Sequence, residues 1–135
     1  MYKKKIFRKL DKKHDSHLYT GIQGFFIKNG HHQLENFKKN NSHLSKVLEI
    51  GAGSTPHYHF IKHTYDEYHV VETSEYVIDY HKENNKVHLL KYDGKKLPYE
   101  DDTFDRIIIS HCLEHILSPE DFLNEMMRVL KKGGI

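Results

Sequence analysis

Glu49-Ile50-Gly51-Ala52-Gly53 closes one short apolar run, Glu72 closes a second, and Asp93 follows a third. Glycines where a strand turns into a helix permit a tight turn and let a ligand approach the backbone closely. A carboxylate 21 residues after Gly51 can accept hydrogen bonds from both hydroxyls of a ribose. A carboxylate beyond the third run can accept from an exocyclic adenine amine. Taken singly, the glycine turn serves a fold, and each acid fits a solvated strand end. In an open parallel sheet, however, these groups stand together at the carboxyl ends of neighbouring strands, where ligands bind. Three in register after three successive strands are hard to produce by chance, and they point to an adenosyl ligand.

The other reactive side chains carry weaker signals. Among 13 histidines, His57, His59 and His63 are close in sequence, and His59 and His63 would share a helical face. No cysteine or acidic cluster completes a site there, so no metal is expected. His111 and His115 follow a fourth apolar run, and an unperturbed imidazole titrates near neutrality. Either is a candidate general base; both could instead shape a pocket through hydrogen bonds. Cys112 is the single cysteine, which precludes an internal disulfide and fits a reducing, cytoplasmic location. It has no proline before it, which speaks against covalent attack on cytosine, and it reads as a small buried residue.

The elements that must position these groups follow from hydrophobic periodicity. Residues 46–50, 68–72, 87–91 and 106–110 read as strands, the last apolar without alternation and so expected to be buried on both faces. Residues 57–63 suit a short helix, and residues 74–84 a helix capped by Ser74 with Tyr76, Val77 and Tyr80 at helical spacing. In the last helix Ser118 is placed to cap, Pro119 suits the first turn, and Glu120 and Asp121 complement the dipole. Phe122, Met126, Val129 and Leu130 then recur, Lys131 and Lys132 fall in the last turn, and Gly133-Gly134 ends it. Residues 14–45 are polar and aromatic, with helical signals only around 32–39. Strands alternating with helices imply an α/β fold with a mostly parallel sheet. The expected division is a basic arm and helical lead-in or lid over residues 1–45, then a ligand-binding part over 46–135.

Composition bounds the rest. At 135 residues, 37% hydrophobic and 30% charged, the chain suits one domain with a modest core. No stretch reaches the roughly 20 apolar residues of a membrane-spanning helix. Residues 1–13 hold seven Lys and Arg against Asp11, so +6 sits in the arm and −4 in the remainder of a chain of formal charge +2. Such an arm could touch an anionic lipid head group, a nucleic acid or an acidic substrate; it reads first as a solvated leader, and the acidic body gives nucleic-acid binding no support.

Beyond these readings, the sequence resembles the class I S-adenosylmethionine-dependent methyltransferases. VLEIGAGSTP at residues 47–56 looks like their first motif, and VVETS at 70–74 like the acidic ribose site. LLKYDGKKLPYEDDTFDRIIISHCLEHI at 89–116 looks like the adenine acid, the fourth strand and its loop; RVLKKGG at 128–134 looks like the lead into a fifth strand. The Glu114-His115 pair is typical of the small-molecule methyltransferase group. The resemblance implies a Rossmann-like sheet with helices on both faces, and S-adenosyl-L-methionine as cofactor. It implies that Gly51, Ala52 and Gly53 flank the methionine and ribose portion, with Glu49 orienting the amino group through water. Glu72, beside Thr73, would hold the ribose hydroxyls, Asp93 with the Gly94 backbone would take the adenine amine, and Ser110 and His111 would line the wall near the sulfonium.

Departures from the family pattern narrow the expectation. Thr55-Pro56 stands where a third glycine is common, so the entry into the first helix must differ. Ser110-His111-Cys112-Leu113 replaces the Asn/Asp-Pro-Pro-aromatic segment of enzymes that methylate amino groups of DNA bases or glutamine. The implied acceptor is thus a small molecule, lipid or glycan precursor. In the family's strand order, 3-2-1-4-5-7-6, the chain would stop at a fifth strand beginning at Ile135, leaving the fourth strand as an open edge. That expectation describes a truncated chain needing a partner or a further segment to cover the edge. Two alternatives stand beside methyl transfer: a module that binds the cofactor or a partner without turnover, and a nicotinamide-dinucleotide protein. The latter is weakened by Pro56 at the last glycine position of GxGxxG.

Overall fold

A computed structural model describes residues 21–36, 43–53, 56–81, 86–92, 95–110 and 112–135. Expectations for the basic arm, Asp93, Gly94 and His111 lie outside the described residues. The elements are α1 (Gly21–Leu34), β1 (His43–Ile50), β2 (Thr64–Glu72), α2 (Glu75–His81), β3 (Val87–Lys91), β4 (Arg106–Ile109) and α3 (Pro119–Val129). Single 3-10 turns occupy His57–His59 and Leu113–His115. All four strands run parallel, in the order β3-β2-β1-β4, as expected of a Rossmann-like α/β sheet.

Alternation along the strands sorts side chains onto two faces. Leu48 and Ile50 of β1, with Val71, pack with Leu97, Phe104 and the Phe122, Met126 and Val129 stripe of α3. Val47 of β1 faces the other way, with Tyr68, Val70, Ala52 and Ile108. β4 departs from the expectation of burial on both faces. Arg106 and Ile108 are buried, whereas Ile107 and Ile109 are half-buried. Its outer edge is also not wholly open: the Ile135 N–H donates to the Asp105 carbonyl at 3.1 Å and its carbonyl accepts from Ile107 N–H at 2.8 Å. Ile135 therefore begins to pair in parallel with β4, where the fifth strand was expected.

Several element bounds differ from the sequence reading. β1 and β2 each begin earlier, at His43 and Thr64, because their polar first halves pair with each other in register, His43 opposite Thr64. The first helix among the described residues is α1, which takes in only the start of the 32–39 signal, residues 37–39 lying outside the described residues; its Gly21, Gly24 and Gly30 disguise it, since glycine disfavours a helix interior. α3 ends at Val129, before the lysines. Leu130 turns extended, and Lys131 N–H donates to the Phe104 carbonyl. The last carbonyls of α3 are taken up by backbone N–H groups of Asp102, Thr103 and Phe104, which supplies the partners that helix ends otherwise lack. Ser118 stands at the N-cap but its hydroxyl makes no capping bond.

Candidate functional site

Strand register brings the glycine turn and the first acid together. Ile50 is paired with Val71 on β2 and with Ile109 on β4, so Gly51, Glu72 and Ser110 emerge at one level. Gly51 N–H donates to the Val71 carbonyl at 3.0 Å, and Tyr92 N–H donates to the Glu72 carbonyl at 2.9 Å. Tyr92, the residue after β3 and one before Asp93, is thereby fixed beside Glu72. Gly51 and Gly53 both adopt positive φ, at 69° and 55°, a region that suits glycine. A Cβ on Gly51 would stand 2.7 Å from Cys112 Cβ, so the turn closes directly onto the loop after β4.

Glu72 is held with its carboxylate at this rim. Its Oε1 accepts from Thr73 N–H at 2.8 Å and Ser74 N–H at 3.2 Å, and its Oε2 accepts from Gly53 N–H at 3.3 Å. The Thr73 hydroxyl also reaches Oε1, at 3.4 Å. Of a carboxylate's roughly four lone-pair sites, the one left on Oε2 is open to a ligand hydroxyl, and a second ligand hydroxyl would take the place of the rotatable Thr73 hydroxyl. Ala52 is buried on the Tyr68 side of the sheet, Thr73 is exposed, and Ser110 is half-buried. His115 is exposed on its 3-10 turn.

Glu49 stands elsewhere. Its side chain is buried under the turn, Oε1 accepting from His57 N–H at 2.7 Å and Oε2 from the Tyr68 hydroxyl at 2.7 Å. Both oxygens are thus engaged in fixing the segment that leaves the glycine turn. Burial, opposed by these hydrogen bonds, pushes its pKa up to about 7, and the Glu72 charge adds to the rise. A carboxyl that titrates higher folded than unfolded keeps its proton only in the folded chain between those two pKa values. Stability contributed by Glu49 should therefore fall as pH rises from 4.5 to about 7, by about 1.4 kcal/mol per pH unit, and level off above. The His57 and His63 shifts tilt the wild-type curve the other way over this range, so it is the difference in unfolding free energy between wild type and Glu49→Gln that should carry this slope; a pH-independent difference would contradict the assignment.

A buried polar network, not anticipated from sequence, anchors α1 and the 57–63 segment. Glu35 is fully buried. Its Oε1 accepts from Arg106 Nη1 at 2.6 Å and lies 2.7 Å from His57 Nε2, and its Oε2 accepts from Lys62 N–H at 2.8 Å. Burial would raise the Glu35 pKa, but the His57, Lys62 and Arg106 donors outweigh it and hold the carboxyl low. Arg106 Nη1 also lies 2.9 Å from His63 Nε2, and Nη2 donates to the Leu34 carbonyl at 3.1 Å. His31 Nδ1 lies 2.9 Å from His57 Nδ1. Desolvation lowers the pKa values of both His57 and His63, as suits imidazoles accommodated around an ion pair already neutral overall. His63 thus meets the Arg106 guanidinium and His57 the Glu35 carboxylate of one buried ion pair. The one sequence cue was Arg106, a charge opening an apolar strand, which must find an acid if buried.

Beside the turn, at Cys112, neighbouring carboxylates make the local field negative. Burial, together with the carboxylates of Glu114, Glu72 and Glu49, pushes the half-buried Cys112 thiol up to about 11. Such a field favours a cationic ligand and opposes an anionic one.

Comparison with known proteins is consistent with this geometry. A family profile described as "Methyltransferase domain" matches residues 48–135. A ubiquinone/menaquinone biosynthesis C-methyltransferase of Vibrio campbellii is 44% identical over 48 residues, 36% of this chain and 18% of that protein. A chloroplastic 2-methyl-6-phytyl-1,4-hydroquinone methyltransferase of Oryza sativa is 30% identical over 98 residues, 69% of this chain and 30% of that protein. The matches thus span less than a third of these relatives. Among solved structures, a chain of the "Complex between the Haloferax volcanii Trm112 methyltransferase activator and the putative methyltransferase" superposes with a TM-score of 0.76 at 16% identity, over 95% of this chain and 57% of that one. At that identity the likeness speaks for the fold. Among the described residues no helix is long and apolar enough to cross a membrane.

Proposed function

Since the chain belongs to the methyltransferase-domain family, we propose that it binds S-adenosyl-L-methionine and transfers the methyl group to a small-molecule acceptor of the hydroquinone class. The observation that carries the cofactor assignment is the meeting of the Gly51–Gly53 turn with the Glu72 carboxylate, 3.3 Å from Gly53 N. The donor and acceptor set fits the group. Glu72 offers acceptors to a ribose diol, the positive-φ glycines keep side chains off the turn, and the negative field beside the turn suits a sulfonium and an ammonium. A dinucleotide would instead bring two phosphate charges against Glu72 and Glu114. The acceptor class rests on the names of the quinone-type relatives.

When bound, the cofactor supplies a methyl group on a positively charged sulfur, a leaving group that needs no activation. The chain's own work is then alignment and exclusion of water. Glu72 fixes the ribose and thereby the sulfur. Glu49 and Tyr68 hold the turn from beneath, and Cys112, packed behind Gly51, holds it against the loop after β4. Ser110 and the neighbouring His111 would wall the sulfonium end. A hydroquinone carbon becomes a stronger nucleophile as its hydroxyl loses a proton, and His111 and His115 remain the candidates to take it.

Purified protein incubated with methyl-labelled S-adenosylmethionine and a reduced, short-chain demethylquinol should transfer label to the ring. Calorimetric titration should show saturable binding of S-adenosylhomocysteine and none of NAD. Binding without transfer to any quinol would remove the acceptor class while leaving the cofactor assignment; preferential binding of NAD would end both.

A further inference from the structure

The face of the sheet that packs against α3 carries a second group of ligand-type side chains, nearer the amino ends of the strands than the glycine turn is. Glu67 and His69 are two residues apart on β2 and so share one face. His88 on β3 is the direct register partner of His69 and points to that same face, with its ring stacked on His69 at a centroid separation of 4.6 Å. One ligand-type atom from each of Glu67, His69 and His88 lies within 4.8 Å of the other two. His69 Nε2 faces Glu67 Oε2 at 2.9 Å. His88 is exposed and has no hydrogen-bond partner among the described residues.

We propose that Glu67, His69 and His88 form a site for one divalent transition-metal ion, zinc by the chemistry of the set. Two imidazole nitrogens and one carboxylate oxygen, with a fourth position left to water, are a zinc-type combination. Ligand atoms around one zinc ion stand about 3.3 Å apart, from metal–ligand bonds of about 2.0–2.2 Å in a tetrahedron. Side-chain rotation closes the remaining gap, because the three residues are already fixed on two hydrogen-bonded strands. The outer support is also present. The Tyr99 hydroxyl lies 3.3 Å from His69 Nδ1. With Nε2 on the metal, the ring proton sits on Nδ1 and is donated to the Tyr99 oxygen, the type of contact that orients metal-bound histidines. No net proton is lost at His69, since the proton on Nε2 facing Glu67 is exchanged for one on Nδ1.

The structure also names the competitor. Lys46 Nζ lies 3.2 Å from Glu67 Oε2, so an ion entering the site must displace that ammonium. The site differs from the His57 and His63 group, where the Arg106 guanidinium already fills the cation's place. It lies away from the cofactor rim, and an ion bound there would join β2 to β3. The sequence concealed it because its histidines are 19 positions apart and meet only through strand register.

Chelator-treated protein should be titrated with cobalt(II), read by its visible absorption, and with zinc chloride against a chromophoric chelator. One equivalent should bind with a tetrahedral cobalt spectrum and raise the melting temperature. His88→Ala, at an exposed position that folding tolerates, should weaken binding at least about 100-fold, and Tyr99→Phe about tenfold. Lys46→Met should tighten binding, and His59→Ala should leave it unchanged. Affinity insensitive to both His88→Ala and Lys46→Met, several weak equivalents, or an octahedral cobalt spectrum would overturn the proposal.

Discussion

Replacing Glu35 with alanine is expected to cost about 3–5 kcal/mol, the usual loss when one member of a buried ion pair is removed. Arg106 is 4% exposed, and Glu35 accounts for its closest contact, at 2.6 Å. Without the carboxylate the guanidinium loses that charged contact in the core, and His57 Nε2 and Lys62 N–H lose the same partner. Against a total stability of about 5–15 kcal/mol for a domain, this leaves a marginal or unfolded chain. Denaturant unfolding of the variant checks it, and a loss below about 1 kcal/mol would contradict the network's assigned weight. A paired replacement separates charge burial from packing. Glu35→Leu with Arg106→Met removes both charges and should recover much of the loss, because two apolar groups in place of a buried pair are often tolerated.

The Gly51→Ala variant should be nearly as damaging, by a different mechanism. Gly51 has φ of 69°, and its added Cβ would meet Cys112 Cβ at 2.7 Å and Sγ at 3.1 Å. The left-handed backbone costs about 1–2 kcal/mol for a residue with a Cβ. The contact is with an atom attached to the backbone, not with a flexible tip, so the turn itself must move. Moving it pulls Gly53 N–H from Glu72, a hydrogen bond to a charged acceptor worth about 1.5–3 kcal/mol. S-adenosylhomocysteine affinity should drop about ten- to 100-fold, with a lowered melting temperature. Cys112→Gly in the same background removes the clash but not the backbone strain, so it should restore part of the stability. Full activity in Gly51→Ala would mean that the turn is placed differently.

The sheet was readable because each strand carries a short apolar run at its core, even in β3 and β4, which are only partly buried, and the four strand cores fall where those runs are. The ends of β1 and β2 were not readable, because their first halves are polar and are stabilised by pairing with each other, which only register reveals. α3 carries a clear apolar stripe, yet its end was placed too late. Leu130 fits the helical spacing but is taken into a bridge with Phe104, a contact that spans 26 residues. At the site, the partnership of the Gly51–Gly53 turn with Glu72 follows from the fold class alone. The function of Glu49 does not, because only the structure places its oxygens on His57 N–H and Tyr68. Glu35 was invisible: it follows a glycine-rich helix with little pattern, and its partner Arg106 lies 71 residues away.

A thermodynamic cycle on Glu72 tests the account at its centre. S-adenosylhomocysteine and an analogue lacking both ribose hydroxyls should be titrated calorimetrically into wild type and Glu72→Ala. Loss of two hydrogen bonds to a carboxylate is worth about 3 kcal/mol or more, about 100-fold in affinity. The natural ligand should lose that factor in the variant while the analogue, already without the hydroxyls, loses far less. Equal losses for the two ligands, or none, would contradict a Glu72 carboxylate that holds the ribose beside the glycine turn.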